Sequence, residues 1–288
     1  MSLARLRCLV LACTESEVQS RASLGLPAGE AGKLGCWMST AVAPPRTFVK
    51  PVSTLPGRRF DHFFFSSTAL LMLATVFVGF APTYYLAGVF RAPLPSTIIH
   101  IHGAVFSSWI LLLVTQTSLV AAHRVDIHKK LGIAAFLLAC SMVVIGVVAA
   151  TDRLARGTAP GHFDPYFFYI IPLTDMLIFG TLIAFAFRLR FDSAAHKRLI
   201  YIANTALLIA AFARWPWHII HRNAPRAAIA TYAFLLLLLA YDLWSTRKVH
   251  RATAWGCAFL IFVQQIRIPI GKTAAWHSLA IWIQHIAR

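Results

Sequence analysis

The sequence predicts an all-α fold: an integral membrane bundle of seven transmembrane helices, with the N-terminus in the cytosol and the C-terminus outside. Three observations lead there. The chain is 58% hydrophobic and 13% charged, roughly half the charge of an average soluble domain. Its apolar residues gather into seven runs near the ~20 residues that a helix needs to cross the hydrocarbon core. Lys and Arg fall mostly in the short gaps between these runs, as in membrane proteins generally. The basic excess, 27 Lys and Arg against 10 Asp and Glu, is therefore read as topology and not as a nucleic-acid surface. The expected partner is the lipid bilayer, and the expected location is the inner (cytoplasmic) membrane.

The first 37 residues stand apart. Glu15, Glu17 and Glu30, the only glutamates, fall there with Cys8, Cys13 and Cys36. The apolar stretch behind Arg5 and Arg7 is too short for a secretion signal. Residues 1–37 are read as a mis-called start with Met38 as initiator, residues 1–60 as a disordered leader, and 61–288 as the seven-helix domain. Cys140 and Cys257 lie inside apolar runs and read as small packing residues. No cysteine spacing suggests a disulfide framework or a zinc ribbon.

The expected spans are 63–81, 98–122, 131–150, 166–187, 199–213, 227–244 and 254–270. The fifth is short and extends toward residue 220 past Pro216; the first continues toward Phe90 past Pro82. Barrel strands would alternate in polarity, and these runs do not. With the N-terminus inside, the inner segments (46–61, 123–130, 188–198 and 245–251) hold 14 Lys and Arg. The outer segments (83–97, 151–165, 214–226 and 271–288) hold 8. The positive-inside rule thus favours this orientation. Trp215, Trp217 and Trp276 are expected at the outer interface, and Trp244 and Trp255 at the inner one.

Basic histidine-led segments open the third, fifth and seventh spans: His128 with Lys129, His196 with Lys197 and Arg198, and His250 with Arg251. The plainest reading is interfacial anchoring, with long basic side chains reaching the headgroups. The functional reading is a cytosolic cluster for phosphate or a heme propionate. Asp242 is assigned to Arg247 or Lys248 as a structural pair.

A second set of polar residues falls toward the outer side. His100 and His102 open the second span, and Asp175 follows Pro172 in the fourth. Arg214, His218 and His221 follow the fifth, and Arg267 closes the seventh. Ionisable groups inside a membrane are costly and mark functional sites. His100 and His102 stand about 200° apart on a helix and cannot face one metal together. His218 and His221 can share a face. Asp175 also has a structural reading, as the partner of Arg214 or Arg267.

Six short segments carry a resemblance. They are Gly-Phe-Ala-Pro-Thr-Tyr-Tyr at 79–85, His-Ile-His-Gly at 100–103, Val-Asp-Ile-His-Lys-Lys-Leu-Gly at 125–132, His-Lys-Arg-Leu at 196–199, Ala-Arg-Trp-Pro at 213–216 and Thr-Ala-Ala-Trp-His at 273–277. With them, residues 59–285 resemble a group of uncharacterised bacterial multi-pass membrane proteins. The resemblance implies a shared fold and no reaction. A looser likeness, to membrane heme proteins such as heme A synthase, carries no ligand residue.

Three functional readings follow. The first is a membrane redox protein that holds heme b or a transition metal in the outer His/Asp/Arg set. His102 and His123 lie about 32 Å apart along a helix, which disfavours two stacked hemes. The second is a zinc-dependent membrane hydrolase acting on lipid, with Asp175 as base. The third is a non-enzymatic small-molecule binder, transporter or sensor.

Overall fold

The computed structural model describes residues 57–288 apart from Leu94, His162 and 217–223. The expected leader, the proposed start at Met38 and three of the cysteines lie outside the described residues. Among those described, every regular element is helical: α1 (Gly57–Phe80), α2 (Thr97–Ala121), α3 (Val125–Ala155), α4 (Pro165–Arg188), α5 (Ser193–Phe212), α6 (Ala224–Thr246), α7 (Arg251–Gly271) and α8 (Ala274–Ala287). Six of these eight helices are long and apolar enough to cross a membrane; α5 and α8 are not.

Local chemistry sets the helix ends. The Asp164 carboxylate accepts from Phe167 N–H at 2.7 Å and starts α4, with Pro165 preset for the first turn. Asp192 accepts from Ala194 and Ala195 N–H at the start of α5. His250 Nδ1 accepts from Ala252 N–H at 3.1 Å and starts α7. Thr273 caps α8 through Trp276 N–H. At the other end of α1, Pro82 lacks a donor, and the chain passes into one π-helical turn, Ala81–Tyr85. Leu86 N–H closes that turn on Ala81 O at 2.8 Å.

Helices α1 to α7 alternate in direction. The starts of α1, α3, α5 and α7 share one end of the bundle, called proximal here. His62 meets His123 there, and His128 meets His196. The opposite, distal end brings the close of α7 onto the start of α4, where Gly271 faces Phe167 and Ile170. Helix α5 sits in the middle. It packs on α1, α4, α6 and α7, and Trp109 of α2 donates to its Asn204 at 2.9 Å. Ile202, Ala203, Thr205, Ala206 and Ala211 are wholly buried. Small side chains let neighbouring backbones approach: Gly79 of α1 lies so close to Ala211 that an added Cβ would strike the Ala211 carbonyl.

The outside of the bundle is apolar. Leu137 and Val144 of α3 are 63% exposed, and Ile229 and Leu236 of α6 more so. Water does not tolerate a surface of this kind on a monomer of this size, and lipid does. The six apolar helices thus describe a membrane-embedded protein.

The fifth run differs from its expected form. Its helix begins at Ser193 and stops at Phe212, so residues 188–198 are not all loop. It carries Lys197, Arg198, Asn204 and Thr205 because protein, not lipid, surrounds it. Helix α3 likewise starts at Val125 and runs 31 residues, taking in most of the expected 123–130 loop. The first helix ends its π turn at Tyr85, short of Phe90. Residues 274–287, expected as an outer tail, form α8. Trp276 Nε1 ties it to Tyr166 O at 2.9 Å, and Gln284 Nε2 ties it to Leu154 O at 2.7 Å. Trp276 is thereby packed inward onto α4.

Candidate functional site

At the proximal end, the basic residues are built into the bundle. Asp242 is wholly buried. Its Oδ1 accepts from Arg198 Nε at 2.9 Å and Nη2 at 2.6 Å. Its Oδ2 accepts from the Thr253 hydroxyl at 2.6 Å and from His250 N–H at 3.0 Å. This carboxylate therefore joins α5, α6 and α7, and the assignment to Arg247 or Lys248 is corrected: both are exposed. The local reading fails because the true partner lies 44 residues upstream. Asp61 of α1 accepts from Lys197 at 2.5 Å and from the Tyr241 hydroxyl. Arg198 and Lys197 thus anchor helix to helix, while Lys129 and Arg251 remain exposed.

The histidines divide in the same way. His196 Nδ1 lies 2.8 Å from Ala186 O; a carbonyl only accepts, so Nδ1 carries the proton. His128 is half-buried, its Nδ1 has no partner, and Gln116 Oε1 beside it has none either. His250 lies outside the apolar spans. Burial, followed by the Arg198 charge, lowers its affinity for a proton, in keeping with its Nδ1 lone pair capping α7.

Among the described residues of the distal set, one ion pair forms. Asp175 of α4 and Arg267 of α7 meet at 2.6 Å, and both are buried. Arg267 Nη1 also reaches the Thr174 hydroxyl at 3.3 Å. That hydroxyl donates back to Ile170 and Ile171 carbonyls beside Pro172. Arg267, not Arg214, is the partner of Asp175. One turn before Arg267, Gln264 is 3% exposed, and neither atom of its amide has a hydrogen-bond partner. Nothing in the sequence around Gln264 signals that its amide goes unmatched.

His102 stacks on Phe106 with ring centroids 4.0 Å apart. Arg214 Nη1 donates to Ala210 O at 2.6 Å, and its guanidinium covers Phe80. His100 points elsewhere: it is exposed beside Tyr84. Gly103 admits the Tyr84 ring, which an added Cβ would strike. His218 and His221 lie outside the described residues. Arg153, counted in sequence as a loop cation, lies in the last turn of α3.

No family model, no curated protein and no solved structure matches the chain. Function therefore rests on the geometry. Among the described residues, no three His, Cys, Asp or Glu side chains are grouped to hold a metal ion. What the distal end does offer is a buried amide with its donor and acceptor free, beside a fixed ion pair, in a low-dielectric interior.

Proposed function

We propose that this protein is a seven-span membrane protein that binds a small organic molecule at its distal end without catalysing a reaction. Helix α5 is the seventh span, sheltered from lipid by its neighbours. The proximal end faces the cytosol, in line with the positive-inside rule, and the membrane is the cytoplasmic one. Helix α8, about 21 Å long, is too short to span and lies along the outer interface. Trp282 and Ile286 on its outward face support that placement.

The observation that carries the binding role is Gln264. A buried amide without partners costs about 1–3 kcal/mol, and lipid offers it no hydrogen bond. A fold keeps such a group where an occupant completes it. The occupant has an apolar body, to lie among helices, and one acceptor and one donor for the amide. The Asp175–Arg267 pair fixes α7 against α4 and so holds Gln264 in place. The heme and zinc readings have less support: His100 and His102 point apart, and Asp175 is already engaged by Arg267.

The test is to purify the protein in mild detergent, denature it, and identify released small molecules by mass spectrometry, with a visible spectrum and metal analysis alongside. A near-stoichiometric organic compound is the expected result. A Soret band or stoichiometric zinc would replace this reading with one of the other two.

A further inference from the structure

We propose that His128 and His196, with Gln116 beside them, form a binding site for monovalent copper at the proximal end of the bundle, independent of the Gln264 site at the distal end.

The ends of four helices meet there. Gln116 lies near the close of α2, His128 near the start of α3, Ala186 in the last turn of α4 and His196 near the start of α5. The two imidazole rings stand 6.4 Å apart, centroid to centroid, with their planes at 85°. Gln116 Nε2 donates to the His128 carbonyl at 3.4 Å. Direct contacts thus tie His128 to both of the others.

Each of the three offers a lone pair. His196 Nδ1 donates to Ala186 O at 2.8 Å, which leaves the lone pair on Nε2. A metal-ligating histidine is held in this way, with its other nitrogen given to a carbonyl. The Gln116 amide turns its nitrogen to a carbonyl, so its Oε1 is left as an acceptor. That oxygen is buried without a hydrogen-bond partner, and so is His128 Nδ1. Burying two unmatched polar atoms on neighbouring residues is costly, and one cation completes both.

The spacing selects the metal. An imidazole nitrogen sits about 2.0–2.1 Å from a bound first-row ion. Two rings on opposite sides of one ion then have centroids about 6–6.5 Å apart, and two rings at a tetrahedral angle about 5 Å apart. The observed 6.4 Å fits the first arrangement. Copper(I), with its filled d shell, takes two imidazoles in a line and accepts a weak third donor, the place of Gln116 Oε1. Zinc asks for three or four protein ligands. Charge agrees with this choice. Among the described residues, no carboxylate joins the two imidazoles, and taking one charge out of water costs less than taking two. The basic neighbours do not stand in the way: Lys197 is held by Asp61, Arg198 is held by Asp242, and Lys129 is exposed.

The test uses the full chain in a neutral maltoside detergent, with copper kept as Cu(I) by ascorbate. Bicinchoninate competes for the metal, and its coloured Cu(I) complex reports what the protein does not hold. Saturable binding of one Cu(I) per chain is expected. His128→Phe keeps a ring against His196 and removes both nitrogens, and it is expected to weaken binding about ten-fold or more. Its thermal midpoint without copper is expected to equal or exceed that of the wild type, because a buried unmatched nitrogen is gone. His196→Gln keeps a donor for the Ala186 carbonyl and is expected to weaken binding by the same order, so the test stands if either variant fails to fold. His62→Ala is the control. His62 and His123 form a second ring pair at the same end, 5.9 Å apart, and both are exposed. That variant is expected to bind copper as the wild type does. Excess zinc sulfate is expected not to displace the copper. No saturable binding, binding unchanged in both His128→Phe and His196→Gln, binding lost in His62→Ala, or displacement by zinc overturns the site.

Discussion

Arg198 of α5 grips Asp242 of α6 through two nitrogens on one carboxylate oxygen, at 2.9 and 2.6 Å, with neither side chain in contact with solvent to any extent that matters. The other oxygen of Asp242 takes Thr253 and the backbone of His250 at the start of α7. One carboxylate therefore sets the positions of three helices. Removing one partner of such a pair costs about 3–5 kcal/mol, because the other charge is left buried and alone. Asp242→Asn is expected to lower stability by that order. Arg198→Met with Asp242→Leu is expected to lose less than the two single changes added together. A double-mutant cycle in detergent checks this, and additive losses would deny the coupling.

Close approach of α1 to α5 gives a second prediction. A Cβ on Gly79 would strike backbone at Ala211, which cannot rotate away. Gly79→Ala is expected to destabilise by about 1–3 kcal/mol through overpacking. Gly88, with open space around it, is the control, and Gly88→Ala is expected to be nearly silent. Thermal midpoints of the two variants decide the matter.

His250 gives a pH dependence with a definite sign. Its affinity for protons is lowered in the fold, by burial first and by Arg198 second, while Asp242 and Asp192 oppose in part. The unfolded chain therefore takes up the proton at higher pH than the folded one. Stability from this residue is full above about pH 6.5, the ordinary histidine value, and declines as the pH falls below it. His250→Ser keeps a cap without a titrating ring. The variant is expected to flatten this part of the stability profile, and an unchanged profile would assign the dependence elsewhere.

Orientation is open to labelling. Single cysteines in the 86–96 and 156–164 connections are expected to react with an impermeant reagent in intact cells, and one at Arg247 is expected not to react. The reverse pattern would invert the bundle.

Much of the fold was legible because apolar run length reports lipid contact. Helices α1, α2, α3, α4, α6 and α7 face lipid and show it. Helix α5 does not face lipid, so its Ala, Thr and Asn pattern concealed its central place and its full extent. Helix α8 escaped notice because 14 residues are too few for a span and its packing on α3 and α4 involves distant partners. The same distance hid the Arg198–Asp242 pair, whereas charges adjacent in sequence suggested Arg247. Asp175 was legible as a residue in need of a cation, with Arg267 as one of two choices. The place of Arg153 in the last turn of α3 was not, since that helix runs past the end of its apolar run. Nor can a sequence show that the Gln264 amide goes unmatched; that depends on which atoms α4 and α5 bring to it.

The central claim is that Gln264 is held for an occupant and not for the fold, and Gln264→Leu tests it most directly. The measurement is the thermal midpoint of the ligand-stripped protein, together with the amount of small molecule released on denaturing the unstripped protein. Leucine removes a buried amide that has no partner, so the stripped variant is expected to be as stable as the wild type or more stable, by about 1–3 kcal/mol. The released compound is expected to fall well below stoichiometry. A lower midpoint in the stripped variant, or release equal to that of the wild type, would contradict the account.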